Sequence, residues 1–396
     1  MERAELVELL TPEGLTLIDS VSETDAMTNV VGAVSRLRAE GHSASLVAAV
    51  LTQVKLRHKA VPKFGEFASR MLFTEAGLEQ ATRLRVAALH AGRFAAAGLS
   101  RVADLGCGIG GDAMAIAAMD LQVTAVDADE VTATVASYNL APFPTAEVRH
   151  ARAEDVDTSE FDGLYFDPAR RTVGHSNTTR LTRPEDYSPS LDVVFERAAS
   201  LPVGVKLGPG FDRSLIPEDC EAQWVSVDGQ VVELGLWFGA LARPGIRRSA
   251  LVLDAQGTHE FTAAADSDDV DVRPLGEYLY EPDGAVIRAR LIGDVARTLD
   301  AGMLSPGIAY LTGNENVRIP FASTFRVVER FPLDERTLKR ELAKREIGTL
   351  EVKKRGADID PAAFRKKMAL RGTHSATLFL TRVDGKHAAL LCERVR

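Results

Sequence analysis

The chain has 396 residues, 45% of them hydrophobic, enough to bury more than one core; at about 150 residues per domain it predicts two or three domains. No window approaches the roughly 18 uninterrupted apolar residues of a membrane span, and the acidic start Met1-Glu-Arg-Ala-Glu-Leu6 lacks the regions of a signal peptide, so neither a membrane nor a secreted protein is expected. Three scattered cysteines (Cys107, Cys220, Cys392) form no CxxC pair, which excludes a disulfide framework and a zinc site and suits a reducing cytoplasm.

Residues 1–98 read as helical, because Leu6-Val-Glu-Leu-Leu10, Val30-Val-Gly-Ala-Val34 and Leu46-Val-Ala-Ala-Val-Leu51 repeat at helical spacing. Thr74 is placed as an N-cap before another helix. From 99 to 243 the rhythm changes. Short apolar runs at 102–105, 123–127, 146–150, 163–167 and 203–207 alternate with helical stretches at 113–119 and 130–138, which implies βαβ units and a parallel sheet. Two further runs, 223–227 and 231–238, flank Asp228-Gly229, a tight-hairpin signal, so the sheet is expected to end in an antiparallel pair.

Residues 244–322 read as a bridge: a strand at 249–254, an acidic loop at 266–271, a helix at 285–299 and a strand at 308–311. The module 323–396 reads as β (325–331), α (334–345), β (349–354), α (360–370), β (376–382), β (386–393), with Asp334 and Asp360 as N-caps. The net charge of -9 divides unevenly along this order. Residues 325–396 hold 18 Lys and Arg against 10 Asp and Glu, a balance of +8, leaving 29 against 46, or -17, for the rest. A basic module on an acidic body suggests a polyanion partner; a merely solvated basic face is the plainer alternative.

The chemistry centres on Asp104-Leu-Gly-Cys-Gly-Ile-Gly-Gly111, at the turn from the first strand into a helix. Glycines there let the backbone approach a ligand closely. Gly106, Gly108 and Gly111 also satisfy the dinucleotide fingerprint, so the loop alone leaves two cofactors open. Asp104, ending the strand, would repel a pyrophosphate but suits the ammonium of a methionine moiety. Asp127 ends the second strand, where a carboxylate can accept ribose hydroxyls, a feature shared with NAD enzymes. Glu154 and Asp155 after the third strand offer a carboxylate to an adenine amino group, and Asp167-Pro-Ala-Arg170 ends the fourth.

Taken together, Asp104, Gly106, Gly108, Gly110, Gly111, Asp127 and Asp167-Pro168 resemble the class I S-adenosylmethionine-dependent methyltransferases over residues 99–240. The resemblance implies a Rossmann-like seven-stranded α/β sheet and S-adenosyl-L-methionine as cofactor. Methyltransferases of this kind acting on exocyclic amines often carry Asp/Asn-Pro-Pro-aromatic. Here Asp167 and Pro168 match, while Ala169 and Arg170 replace the second proline and the aromatic, which puts amine methylation in doubt. An Arg170 plane can still stack on a base or hold a phosphate, so Asp167, Pro168 and Arg170 are the candidate catalytic set.

Further phrases are similar, in order, to a bacterial, largely actinobacterial methyltransferase group with a C-terminal THUMP-like domain. They are Lys63-Phe-Gly-Glu-Phe-Ala68, Arg70-Met-Leu-Phe-Thr74, Gly77-Leu-Glu-Gln-Ala-Thr82, Phe166-Asp-Pro-Ala-Arg-Arg171, Tyr278-Leu-Tyr-Glu-Pro282 and Val352-Lys-Lys-Arg-Gly356. The resemblance implies an RNA-directed role, since THUMP domains of related enzymes bind RNA. Arg336, Arg340 and Lys344 share one helix face, Lys353, Lys354 and Arg355 leave a strand, and Arg365, Lys366 and Lys367 lie on the second helix. These nine are the candidate phosphate contacts, and with few aromatics to stack on bases they favour structured RNA. The expected activity is methyl transfer to RNA in the cytoplasm, without a metal. Transfer to a small molecule and a non-catalytic RNA-binding role are the alternatives. For Gly77–Thr82 the favoured reading is a helix packed on the sheet.

Overall fold

The structure, a computed structural model, describes residues 2–170 and 186–395. They fall into two compact units, Met1–Leu207 with Leu236–Ala242 and Gly208–Gly235 with Arg243–Arg396.

The first unit opens with α1 (Arg3–Leu9), α2 (Pro12–Ser20), α3 (Glu23–Met27), α4 (Val30–Ala39), α5 (Ala44–Phe64), α6 (Glu75–Gln80) and α7 (Leu84–Ala96). Hydroxyl N-caps start several of them: Ser43 Oγ accepts from Leu46 N (3.0 Å) and Thr74 Oγ1 from Gly77 N (2.9 Å). Leu46, Val50 and Val54 repeat one turn apart and are buried, giving α5 its core face. The helix stops at Gly65, whose φ of +57° favours glycine.

Then come β1 (Arg101–Leu105), α8 (Gly111–Ala118), β2 (Gln122–Asp127), α9 (Glu130–Leu140), β3 (Ala146–His150), β4 (Gly163–Phe166), the short pair β5 (Ala169–Arg170) and β6 (Tyr187–Ser188), α10 (Leu191–Ala198) and β7 (Val203–Leu207). Parallel ladders join β1 to β2 and β4, β2 to β3, and β4 to β7. The order is therefore β7-β4-β1-β2-β3, and the chain reverses direction between β1 and β4. In open parallel sheets a ligand crevice forms outside the strand ends at that reversal. The expected α/β sheet and helical N-terminal segment are both present.

Two buried amides hold the segment between α5 and α6. Gln53 donates to Phe73 O (2.7 Å) and accepts from Phe73 N (3.0 Å). Asn139 of α9 donates to Leu72 O (3.0 Å) and Ile109 O (2.9 Å) and accepts from Leu72 N (2.8 Å). An extended backbone without ladder partners thus has its polar groups satisfied inside the core.

In the second unit, β8 (Glu221–Val227) and β9 (Gln230–Phe238), whose last three residues belong to the first unit, meet at Asp228 and Gly229. Both have positive φ, +50° and +78°, as the expected tight hairpin requires. β10 (Arg248–Asp254) pairs parallel to β8, and β11 (Gly257–Ala263) antiparallel to β10. Next are β12 (Tyr278–Pro282), α11 (Gly284–Arg288), α12 (Ile292–Thr298), β13 (Gly302–Ser305) and β14 (Ile308–Gly313). The helix expected over 285–299 is two helices: Arg290 turns left-handed (φ +60°) and its carbonyl is taken by Ser267 N (2.9 Å) and Oγ (3.0 Å).

The chain ends with β15 (Ala322–Pro332), α13 (Glu335–Lys344), β16 (Ile347–Lys354), α14 (Pro361–Met368), β17 (His374–Val383) and β18 (Lys386–Arg394), the expected β-α-β-α-β-β order. With β12–β14 they form one sheet, β13-β14-β12-β15-β18-β17-β16. Leu338 and Leu342 of α13 and Phe364 and Met368 of α14 pack on one face. Tyr310, Phe325, Phe379 and Leu390 cluster on the other. No helix among the described residues is long and apolar enough to cross a membrane.

Asn139→Ala would strand the Leu72 amide and two buried carbonyls. The expected cost is about 3 kcal/mol of unfolding free energy, read as a lower urea midpoint at unchanged slope. A loss below about 1 kcal/mol would show that these groups find other partners.

Candidate functional site

The crevice of the first unit holds a cavity of about 320 Å³. Its walls are the loop after β1, Asp127–Asp129 after β2, Glu154 after β3, Asp167 after β4, and the segment from Thr74 to Thr82. Gly106, Gly108 and Gly110 all have positive φ (+95°, +55° and +86°). A Cβ on Gly106 would stand 2.9 Å from the Asp167 carbonyl oxygen, so this turn needs glycine both for conformation and for space. Gly106 N and Cys107 N donate to Val126 O (2.9 and 3.0 Å), which fixes the loop on β2.

The sequence-designated positions divide between lining and support. Gly106, Gly108, Gly111, Asp127, Glu154 and Asp167 line the cavity. Gly110 instead caps α8, next to Leu140, and Asp104, Asp155 and Pro168 are likewise not among the lining residues. Arg170 stands in β5, paired in register with Tyr187, and Arg171 lies outside the described residues. Asp127 accepts from Gly108 N (3.0 Å) and Asp129 N (2.9 Å), and burial raises its carboxyl above the usual range.

Asp104 is 1% exposed, and neither carboxylate oxygen has a hydrogen-bond partner. Burial first, then the neighbouring carboxylates Asp112 and Asp167, push its carboxyl well above the ordinary value. An orphaned acid beside a glycine cradle fits a ligand that brings its own cation.

Around it runs a chain of polar contacts that sequence reasoning missed. Asp112, at the start of α8, accepts from Thr82 Oγ1 (2.6 Å) and sits 2.8 Å from His90 Nδ1. Burial alone would raise its carboxyl, but the His90 contact, Lys206 and the Thr82 hydroxyl outweigh that and hold it low. The Tyr165 hydroxyl lies 2.9 Å from the same His90 nitrogen. Lys206 of β7 pairs with Asp167 and donates to Thr82 Oγ1 (3.0 Å) and Gln80 O (3.3 Å). A lysine in an otherwise apolar strand was the available signal.

Gly77–Thr82, expected only to pack on the sheet, contributes Gly77, Gln80, Ala81 and Thr82 to the cavity wall. Lys63 holds this segment by donating to Leu78 O (2.8 Å), Glu79 O (2.7 Å) and Ala81 O (2.8 Å). Burial, then Arg83 and Lys206, bring its ammonium down to about 8.

In the second unit the nine designated cations occupy two faces of one sheet. Arg336, Arg340, Lys344, Lys354, Arg365, Lys366 and Lys367 are exposed, and Lys367 pairs with Glu335 (2.8 Å), tying α14 to α13. Lys353 and Arg355 belong to the opposite face, with Lys353 Nζ 2.6 Å from Glu281 and Arg355 over Tyr310. Strand alternation separates them from Lys354. Among the described residues no group of His, Cys, Asp and Glu could hold a metal ion.

Comparison with known proteins agrees with this architecture. Residues 322–394 match the THUMP domain-like family, and residues 2–60 match a domain of unknown function. An uncharacterized S-adenosylmethionine-dependent methyltransferase of Mycobacterium tuberculosis is 35% identical over 338 residues, covering 83% of this chain and 90% of that protein. The crystal structure of a candidate methyltransferase from Porphyromonas gingivalis W83 superposes with a TM-score of 0.73 at 20% identity, covering 100% of this chain and 99% of that one.

The orphaned acid has a pH signature. Below the unfolded pKa, about 4, Asp104 is protonated in both states and costs nothing. As pH rises, the unfolded chain releases this proton while the folded chain keeps it, so stability falls toward the raised folded pKa. Asp104→Asn should therefore gain thermal stability over the parent increasingly from pH 4 to pH 8, measured without ligand. A difference flat across that range would show Asp104 is not the buried charge it is taken for.

Proposed function

The chain belongs to the S-adenosylmethionine-dependent methyltransferase family, and from that premise we propose that its methyl acceptor is RNA, held through the exposed basic face of α13 and α14. That face carries the reading: Arg336, Arg340 and Lys344 on one helix and Arg365, Lys366 and Lys367 on the other stand in solvent within a THUMP-like domain. Phosphates are bound by such charge with little regard to sequence, so a structured RNA is the favoured partner. Three buried, unpaired cysteines are in keeping with a cytoplasmic enzyme.

The cofactor supplies a methyl group on a sulfonium, which any nucleophile in line can take. In this reading Asp104 would accept the hydrogens of the cofactor's ammonium, since neither of its carboxylate oxygens has a hydrogen-bond partner within the protein. Among the residues lining the cavity, the Gly106–Gly108 turn would let backbone approach the cofactor, Asp127 would take its ribose hydroxyls, and Glu154 would hold its adenine amino group. Asp167 orients the acceptor by accepting a hydrogen from the attacking atom, and its ion pair with Lys206 fixes that carboxylate in place. Pro168 stiffens the turn after Asp167, and Arg170 is assigned to the acceptor's base or phosphate.

Labelled methyl groups should pass from S-adenosylmethionine to an RNA pool, and Asp167→Ala should lower that rate by about 100-fold or more while cofactor affinity stays within a few-fold. Nucleoside mass spectrometry of the product names the acceptor atom. Protein saturated with cofactor that modifies no RNA pool would overturn the reading.

Charge reversal of Arg336, Arg340 and Lys344 to Glu should weaken RNA retention and reduce the slope of log affinity against log salt by roughly two to three. An unchanged slope would move the RNA elsewhere on the protein.

A further inference from the structure

The described residues enclose a larger cavity than the cofactor crevice. It lies wholly within the second unit and has a volume of about 820 Å³, inside the range of about 300–1,000 Å³ that ligand pockets occupy. Its charges are sorted by element. One wall, from the end of β16, the end of β18 and the loop before β15, presents Lys353, Arg355, Arg394 and Arg318. The other, from the β8–β9 turn, the end of β10 and the β12–α11 junction, presents Asp228, Asp254, Glu281 and Asp283.

The cationic wall is set in place before any ligand arrives. Arg394 lies over the Phe325 ring, Cζ 4.6 Å from its centroid, donates to Ser323 Oγ (3.2 Å) and stands 3.6 Å from a Glu351 carboxylate oxygen. Arg355 lies over Tyr310 at 4.8 Å and donates to Ala309 O (2.8 Å). A guanidinium held against a ring on one face is fixed in place and offers its remaining N–H donors to a phosphate. Lys353 is tied to Glu281 at 2.6 Å, an ion pair that joins the two walls.

The acidic wall favours a ligand rich in hydrogen-bond donors. Asp283 accepts from Ala285 N (2.7 Å) and Ser226 Oγ (3.0 Å). Burial raises its carboxyl above the usual range. A phosphate at one end and hydroxyls or amines at the other describe a nucleotide.

We propose that this cavity is a nucleotide-binding site, with the phosphate on Arg355, Arg394 and Arg318 and the sugar and base toward Asp228, Asp254 and Asp283. The nucleotide is either free or the end of an RNA strand. The site is independent of which molecule the enzyme methylates.

The test is calorimetric titration of the full chain, with its cofactor crevice filled by S-adenosylhomocysteine so that no adenosine-type site is open. The probes are uridine and guanosine 5′-monophosphates and a 5′-phosphorylated pentauridylate. Binding of the mononucleotides identifies a free-nucleotide site; binding of the pentamer alone identifies a strand-end site. In either case Arg394→Ala should weaken the affinity tenfold or more, and Lys55→Glu, at an exposed position of α5, should leave it within twofold. Should Arg394→Ala lose its cooperative unfolding transition, Arg318→Glu, a change at an exposed residue, takes its place with the same expectation. No binding of any probe, or binding that neither variant weakens, overturns the proposal. Methyl transfer is not read, so an acceptor other than RNA leaves this result intact.

Discussion

Four carboxylates meet at the ends of the central strands of the first unit: Asp104, Asp112, Asp127 and Asp167. Like charges in a partly desolvated crevice repel strongly, so most of the surrounding polar structure can be understood as their compensation. Asp112 is answered by Thr82 and His90, Asp127 by two backbone amides, and Asp167 by Lys206. Asp104 alone is left with no partner, and its burial makes the unliganded state costly in charged form. If Asp104 meets the cofactor's cation as proposed, that contact would relieve the cost and couple cofactor binding to the stability of the unit.

The compensation also explains why the N-terminal helices are needed beside the sheet. Thr82 links Asp112 and Lys206, and it reaches them only because Lys63, Gln53 and Asn139 hold the chain from Leu72 to Ala81. Each of these holds backbone groups that no helix or strand would satisfy. The wall of the crevice is thus a loop made rigid by three side chains far from it in sequence.

Much of this was legible in the amino-acid sequence wherever the physics is local. Gly106, Gly108 and Gly110 announce a turn that other residues cannot make, and Asp228-Gly229 announces a hairpin with both residues left-handed. The C-terminal module followed from amphipathic spacing and its Asp334 and Asp360 caps. What stayed hidden depends on distant pairing. The helix over 285–299 breaks because Ser267 captures the Arg290 carbonyl, and nothing near Arg290 signals that. β12 and β14 join the sheet of the C-terminal module through partners across many residues. The Lys206–Asp167 and His90–Asp112 pairs likewise need the folded sheet to bring them together. Phosphate-binding candidates were legible as a set of cations, but their division between two faces emerged only with the register of β16.

The amide of Asn139 has an evolutionary corollary. It touches the loop of the β-sheet at Ile109 and the chain preceding the sheet at Leu72 with the same side chain. Parallel sheets of this kind are often treated as modules that begin at their first strand and can be recombined with new neighbours. A crossover at that boundary here would separate Asn139 and Lys206 from the groups they hold and remove one wall of the crevice. The helical segment and the sheet therefore depend on each other's side chains, and a change on either side of the boundary would be felt on the other.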